Sequence, residues 1–259
     1  MTRIGVVTFP GTLDDRDALR AVRLAGADGV ALWHADADLR GVDAVILPGG
    51  FSYGDYLRCG AIARFSPIMD AVGRFAQQGR PVMGICNGFQ ILTEAHLLPG
   101  ALIRNSGLKF ICAEVALYLE DSVCQWLTPQ EVTSHSRTAA ENNHQVRHHH
   151  ARQLEATKRV VRLPINHNEG NYICDVPTLA KLQAQGQIVL RYCAPDGSCL
   201  ADGSAPNGAL DNIAGICNRQ GNVFGLMPHP ERVCDGISGN TDGASFFNTI
   251  AQTLRSIEQ

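Results

Sequence analysis

Gly84-Ile85-Cys86-Asn87-Gly88 sets a cysteine between two glycines, where an apolar run ends and a helix-like run over 89–97 begins. A nucleophile on a tight strand-to-helix turn needs small neighbours two residues to either side. This pentapeptide is the thiol form of the Gly-x-Ser-x-Gly elbow. Such a turn also sets Cys86 at a helix N-terminus, where the peptide dipole favours thiolate over thiol. A buried cysteine flanked by two unrelated glycines would spell the same five letters. The strand before it and the helix after it weigh against that.

A cysteine nucleophile needs a base, and the base needs an orienting group. Pro228-His229-Pro230-Glu231 sets an imidazole and a carboxylate two residues apart between prolines that restrict the backbone. Alone, His-Pro-Glu is more often a strand-end turn; beside an elbow cysteine elsewhere in the chain, the catalytic reading prevails. A third element is Leu47-Pro48-Gly49-Gly50-Phe51. Acyl transfer through a thioester needs N–H groups aimed at a developing oxyanion. Glycines at a strand end expose such groups and permit the dihedrals required, although a Pro-Gly-Gly turn alone is ordinary. A phosphate loop is a weaker reading, because neither Gly-Lys-Ser/Thr nor Gly-x-Gly-x-x-Gly is present.

The elements that must position these groups alternate in type. Ile4–Phe9 reads as a strand, followed by a helix capped by Thr12, with apolar positions Leu13, Leu19 and Val22, ending near Gly26. Val30–His34 and Ala44–Leu47 read as short buried strands. Ser66-Pro67 opens a helix with Ile68, Val72 and Phe75 on its apolar stripe, Gly79 stops it, and a strand over 81–85 follows. This βαβα alternation predicts an α/β fold, a mostly parallel sheet with helices on both faces. Later strands are expected at Phe110–Glu120, Val160–Ile165, Ile188–Tyr192, Asn212–Cys217 and Val223–Met227, and a last helix at Ala244–Ile257. Without a linker, residues 1–259 read as one domain. Pro129–Thr157 breaks the pattern: it is polar, lacks periodicity and reads as a surface excursion. Its His148-His149-His150 reads as a solvated loop before a metal site.

Composition narrows the class. The chain has 259 residues, 45% hydrophobic and 18% charged, with a net charge of −3. No basic stripe invites nucleic acid. Neither a signal peptide nor the roughly 18 apolar residues of a membrane span is present. Nine cysteines without a Cys-x-x-Cys pair point to a reducing compartment, the cytoplasm, rather than to disulfides or zinc.

Taken together, the three motifs resemble the class I (triad) glutamine amidotransferases. The match is strongest to the small glutaminase subunits of phosphoribosylformylglycinamidine synthases. It is carried by Gly84-Ile85-Cys86-Asn87-Gly88-Phe89-Gln90, Pro228-His229-Pro230-Glu231 and the more specific run Pro48 to Arg58. Val6 to Thr12 and Pro164 to Tyr172 extend it. The resemblance implies a flavodoxin-like domain in which Cys86 attacks glutamine, His229 is base and then acid, and Glu231 fixes the imidazole. Gly49, Gly50 or Phe51, and Asn87 would line the oxyanion site, and Gln90 would help hold glutamine. Ammonia would pass to a large ATP-dependent synthetase subunit, with a small third subunit possible in such assemblies. No metal or cofactor is implied for this chain. An inactive regulatory module and a stand-alone cysteine amidohydrolase or peptidase are the alternatives. Two departures stand out: Asn168 replaces a glycine, for which φ > 0 would make asparagine the least costly substitute, and Tyr118 replaces an arginine. His167 and Glu169 around Asn168 read as a shape-setting loop.

Overall fold

A computed structural model describes residues 1–127 and 159–257; the polar stretch 129–157, with its three histidines, lies outside the described residues. The first half builds strands β1 (Arg3–Thr8), β2 (Asp28–Trp33), β3 (Ala44–Leu47) and β4 (Val82–Ile85). Helices α1 (Asp15–Leu24), α2 (Pro67–Gln77) and α3 (Asn87–Glu94) connect them. Beyond these come β5 (Ala101–Ile103), β6 (Ile111–Leu119), β7 (Val160–His167), β8 (Asn171–Ile173) and β9 (Ile188–Cys193). Strands β10 (Ile213–Cys217) and β11 (Val223–Leu226) and helices α4 (Val176–Ala184) and α5 (Ala244–Ile257) complete the described elements. The last helix falls on its expected bounds. β5, β8 and α4 are not among the expected elements.

The main sheet runs β2-β1-β3-β4-β11-β10-β9-β6-β7. From β2 to β11 every pairing is parallel, and from β11 to β7 every pairing is antiparallel. The parallel half has the flavodoxin-like order, which binds ligands beyond the carboxyl ends of its strands. Side-chain alternation shows what covers it. A Cβ on Gly29 of β2 would meet Leu19 and Val22 of α1, while one on Gly84 of β4 would meet Leu92 of α3. In register, Gly29 sits in one row with Ile4 and Ala44, whereas Gly84 sits beside Leu47 and Gly225. Those two sets point to opposite faces, so α1 and α3 cover opposite sides. Between them one contiguous apolar core runs from Ile4 to Leu254.

The antiparallel half curls back. Three strands separate β11 from β7, about 19 Å on a flat sheet at the usual strand spacing. Yet the His229 N–H just past β11 donates to Pro164 O of β7 at 2.8 Å. The far edge is thus folded over the ends of the parallel strands.

Two local expectations need correction. Asp14, not Thr12, holds the N-cap position of α1, because Thr12 closes a tight turn in which its Oγ1 accepts from Phe9 N at 3.1 Å. Leu13 therefore precedes the helix and is exposed. β2 is not a buried strand: it is an edge, and Leu32 alone of its six residues is buried. Asn168 has no positive φ, so its replacement of glycine costs no backbone strain. Tyr118 lies in β6 opposite Val160 and Arg191 in the ladder.

Candidate active site

Three neighbouring parallel strands deliver the three motifs. β3 leads to Gly49-Gly50, β4 to Cys86 and β11 to His229, and their order β3-β4-β11 puts Cys86 in the middle. The elbow is sharp. Cys86 has φ 49° and ψ −104°, outside the regions that L residues favour. Strain of this kind costs about 1–3 kcal/mol and persists only where the surroundings enforce it. They do so here. Cys86 N donates to Leu226 O at 2.7 Å, and Gln90 N donates to Cys86 O at 3.1 Å.

His229 is almost fully buried, and its Nδ1 lies 2.6 Å from Glu231 Oε1. A carboxylate only accepts, so Nδ1 donates and Nε2 is the ring atom free to serve the Cys86 sulfur. Burial works against a charged ring, but the Glu231 carboxylate and the Cys86 sulfur outweigh it and hold the His229 pKa well above the usual histidine range. A second carboxylate joins this pair. Asp14 Oδ2 is 3.5 Å from His229 Nδ1, and Asp14 Oδ1 accepts from Arg232 Nη2 at 2.6 Å. Asp14 was not a sequence candidate for the site. It is buried, and instead of capping α1 its side chain turns to His229.

Gly49 has room for no side chain, since a Cβ would fall 2.5 Å from Asp14 Oδ2 and 2.7 Å from His229 Cε1. Gly50 adopts φ +120°. Phe51 N–H donates to Gly11 O at 3.3 Å and is engaged within the fold. Asn87 opens α3, so its N–H has no partner within the helix. The Asn87 side chain braces the roof: Oδ1 accepts from Ser52 N at 3.2 Å, and Nδ2 donates to Asp55 Oδ1 at 3.2 Å and to Gln90 Oε1 at 2.9 Å. Gln90 Nε2 in turn donates to Glu169 O. Gln90 thus bridges α3 to the loop after β7, and only its remaining lone pair and proton face a substrate.

Cys86, Gly50, Phe51, Gln90, Asp55 and Arg104 line a cavity of about 320 Å³, closed on its other side by Asn166 to Glu169. Arg104 was not a sequence candidate. His167 is buried, and burial together with the nearby His229 pushes its ring down to about 4. An unfolded chain takes up that proton near pH 6.5. The folded chain resists until about pH 4, so the stability due to neutral His167 is complete above pH 6.5 and is lost on acidification. Between pH 7.5 and 4.5 the loss comes to about 2.5 kcal/mol. Urea unfolding at both pH values should show a smaller acid penalty for His167→Asn, by about 2 kcal/mol. Equal pH responses would contradict it.

Residues 1–245 match the family of CobB/CobQ-like glutamine amidotransferase domains. A protein of Streptomyces avermitilis, "Phosphoribosylformylglycinamidine synthase subunit PurQ", is 49% identical over 97% of each chain. One of the same name from Gloeobacter violaceus is 47% identical over 98% of this chain and 99% of its own. A chain in the "Structure of PurLQS from Thermotoga maritima" superposes with a TM-score of 0.72 at 35% identity, covering 100% of this chain and 99% of that one. A family model over residues 1–245 and relatives this similar over 97–98% of the chain place it among the glutamine amidotransferases, in the PurQ family of phosphoribosylformylglycinamidine synthase subunits.

Proposed function

We propose that this chain, acting as one domain in the cytoplasm, is the glutaminase subunit of a phosphoribosylformylglycinamidine synthase. It hydrolyses glutamine and delivers the ammonia to a large ATP-dependent synthetase subunit for purine synthesis. The observation that carries this reading is a strained elbow cysteine that lines a cavity and interacts directly with a buried His229, itself 2.6 Å from Glu231. Among the described residues no helix is long and apolar enough to cross a membrane.

In this reading Cys86 sulfur adds to the side-chain amide carbon of glutamine. The N–H groups of Gly50 and Asn87 receive the oxyanion. His229 protonates the amide nitrogen, the C–N bond breaks, and ammonia leaves a thioester on Cys86. Water, deprotonated by His229, then attacks the thioester and frees glutamate. Glu231 holds the ring and, with Asp14, balances its positive charge. At the mouth, Arg104 Nε is 3.9 Å from Glu169 Oε1. This pair of opposite charges fits the α-carboxylate and α-ammonium of an amino acid.

A glutaminase that released ammonia without an acceptor would waste its substrate. Adding the synthetase subunit should therefore raise glutamine hydrolysis at least about tenfold over the chain alone, for which roughly 1.4 kcal/mol off the barrier suffices. Equal rates would point to a stand-alone hydrolase of the same fold.

A further inference from the structure

His167 carries a nitrogen that the scheme above does not use. Its Nδ1 is 3.1 Å from Asn105 Oδ1. The orientation of that amide is settled by its other bonds: Asn105 Nδ2 donates to Lys109 O at 2.8 Å and to His167 O at 2.9 Å. Asn105 Oδ1 also accepts from Gly170 N at 3.1 Å. An oxygen can only accept, so His167 Nδ1 must carry the proton, and Nε2 of the neutral ring is a bare lone pair. That Nε2 is buried without a hydrogen-bond partner. His167 is one of the residues that line the cavity with Cys86, and Cys86 Sγ is 4.0 Å from the carbonyl of the preceding residue, Asn166.

A buried acceptor without a donor is costly, and a ligand that supplies an N–H removes the cost. The substrate amide has one oxygen and two N–H groups. Its oxygen is drawn to the N–H groups of Gly50 and Asn87, which leaves the nitrogen to face an acceptor. We propose that Nε2 of His167 accepts a hydrogen bond from the nitrogen of the scissile amide and keeps it as that nitrogen leaves. The proton that completes ammonia comes from His229, and the nitrogen departs with the electron pair of the C–N bond while the oxyanion reforms a carbonyl. His167 gives and takes no proton. Its low basicity suits this role, because a ring protonated at neutral pH would present an N–H to an N–H. The same lone pair opposes glutamate, whose carboxylate brings oxygen where glutamine brings N–H.

This inference rests on the reading of Cys86 as a glutaminase nucleophile, and a leaving group without N–H separates the two. His167→Asn keeps an N–H near the position of Nδ1 for Asn105 and removes Nε2; His167→Gln places an amide oxygen near Nε2 and gives up the bond to Asn105. The assembled enzyme is assayed for kcat/KM, which reports the steps up to release of the leaving group, on glutamine and on the γ-methyl ester of glutamate. For His167→Asn, kcat/KM on glutamine should fall about tenfold and on the ester less than twofold, with partial recovery on glutamine in His167→Gln. Equal losses on both substrates, no loss on either, or His167→Asn outperforming His167→Gln on glutamine would overturn it. A wild-type enzyme that processes neither substrate would instead defeat the reading of Cys86. If His167→Asn does not fold, the amide-to-ester ratio of His167→Gln against wild type decides: a larger than threefold rise in its glutamine rate relative to ester, or an equal collapse of both, refutes the proposal.

Discussion

Cys86→Ala is expected to cut glutamine-dependent synthesis by the assembled enzyme at least about 10³-fold while leaving ammonia-dependent synthesis within about twofold. The two halves of that result have separate causes. Alanine retains the Cβ, so the positive φ of 49° is no more strained than before and the elbow should stand. What is lost is the sulfur, and with it the thioester through which the amide must pass. Ammonia supplied from solution bypasses this site and meets the synthetase directly. Survival of the glutamine-dependent reaction in Cys86→Ala would mean that another group is the nucleophile. Loss of both reactions would mean that the substitution disrupts the assembly rather than the chemistry. Steady-state rates with each nitrogen donor, measured on the same preparation, decide.

The parts of this site that the sequence spells out are those whose geometry is local. An elbow demands glycine two residues to either side of its nucleophile, so Gly84-Ile85-Cys86-Asn87-Gly88 declares itself. His229 and Glu231 are two apart, and the bond between them is made within one turn. The contacts that complete the site span the chain. Asp14 meets Arg232 across 218 positions, and His167 meets Asn105 across 62. Nothing in an aspartate ahead of a helix or in a loop histidine announces such a partner. Burial at an edge is hidden in the same way. Val30-Ala31-Leu32-Trp33 has the apolar run of an interior strand, and only the sheet order shows that, among the described residues, no strand lies beyond it.

The missed helix α4 differs, because its signals were present. Asp175 caps it by accepting from Thr178 N at 2.8 Å, and Pro177 sits in its first turn. Of its nine residues only Leu182 is buried, so the apolar stripe that reveals a helix was missing. Asn168 shows the opposite lesson. A left-handed backbone there would have made asparagine the least costly substitute for glycine, but the condition does not arise: the loop after β7 is held in place by its bonds to Asn105 rather than by an unusual φ.

Gly88→Ala should destabilise the protein by at least about 4 kcal/mol, because the space its methyl would need is taken by backbone. A Cβ at this position would lie 1.9 Å from Leu47 O and 2.6 Å from Leu47 C. A flexible side chain could swing away, but Leu47 belongs to β3, held in the middle of the sheet between β1 and β4. To make room, α3 would have to lift from the strand ends, and its first turn carries Asn87 and directly follows Cys86. Stability and thiol reactivity should therefore fall together. Gly73, in the middle of α2, is the control: a Cβ there meets nothing within 4 Å. Gly73→Ala should stabilise by about 0.5–1 kcal/mol, since alanine loses less backbone freedom on entering a helix. At about 2–4 °C per kcal/mol for a chain of this size, the two variants should melt on opposite sides of the wild type, Gly88→Ala lower by about 10 °C or more. Labelling of Cys86 by a glutamine-like electrophile should be lost in Gly88→Ala and unchanged in Gly73→Ala. A Gly88→Ala chain that melts within about 2 °C of wild type would mean that α3 can shift away from Leu47 at little cost, and that the small residue after the nucleophile is not what fixes the turn.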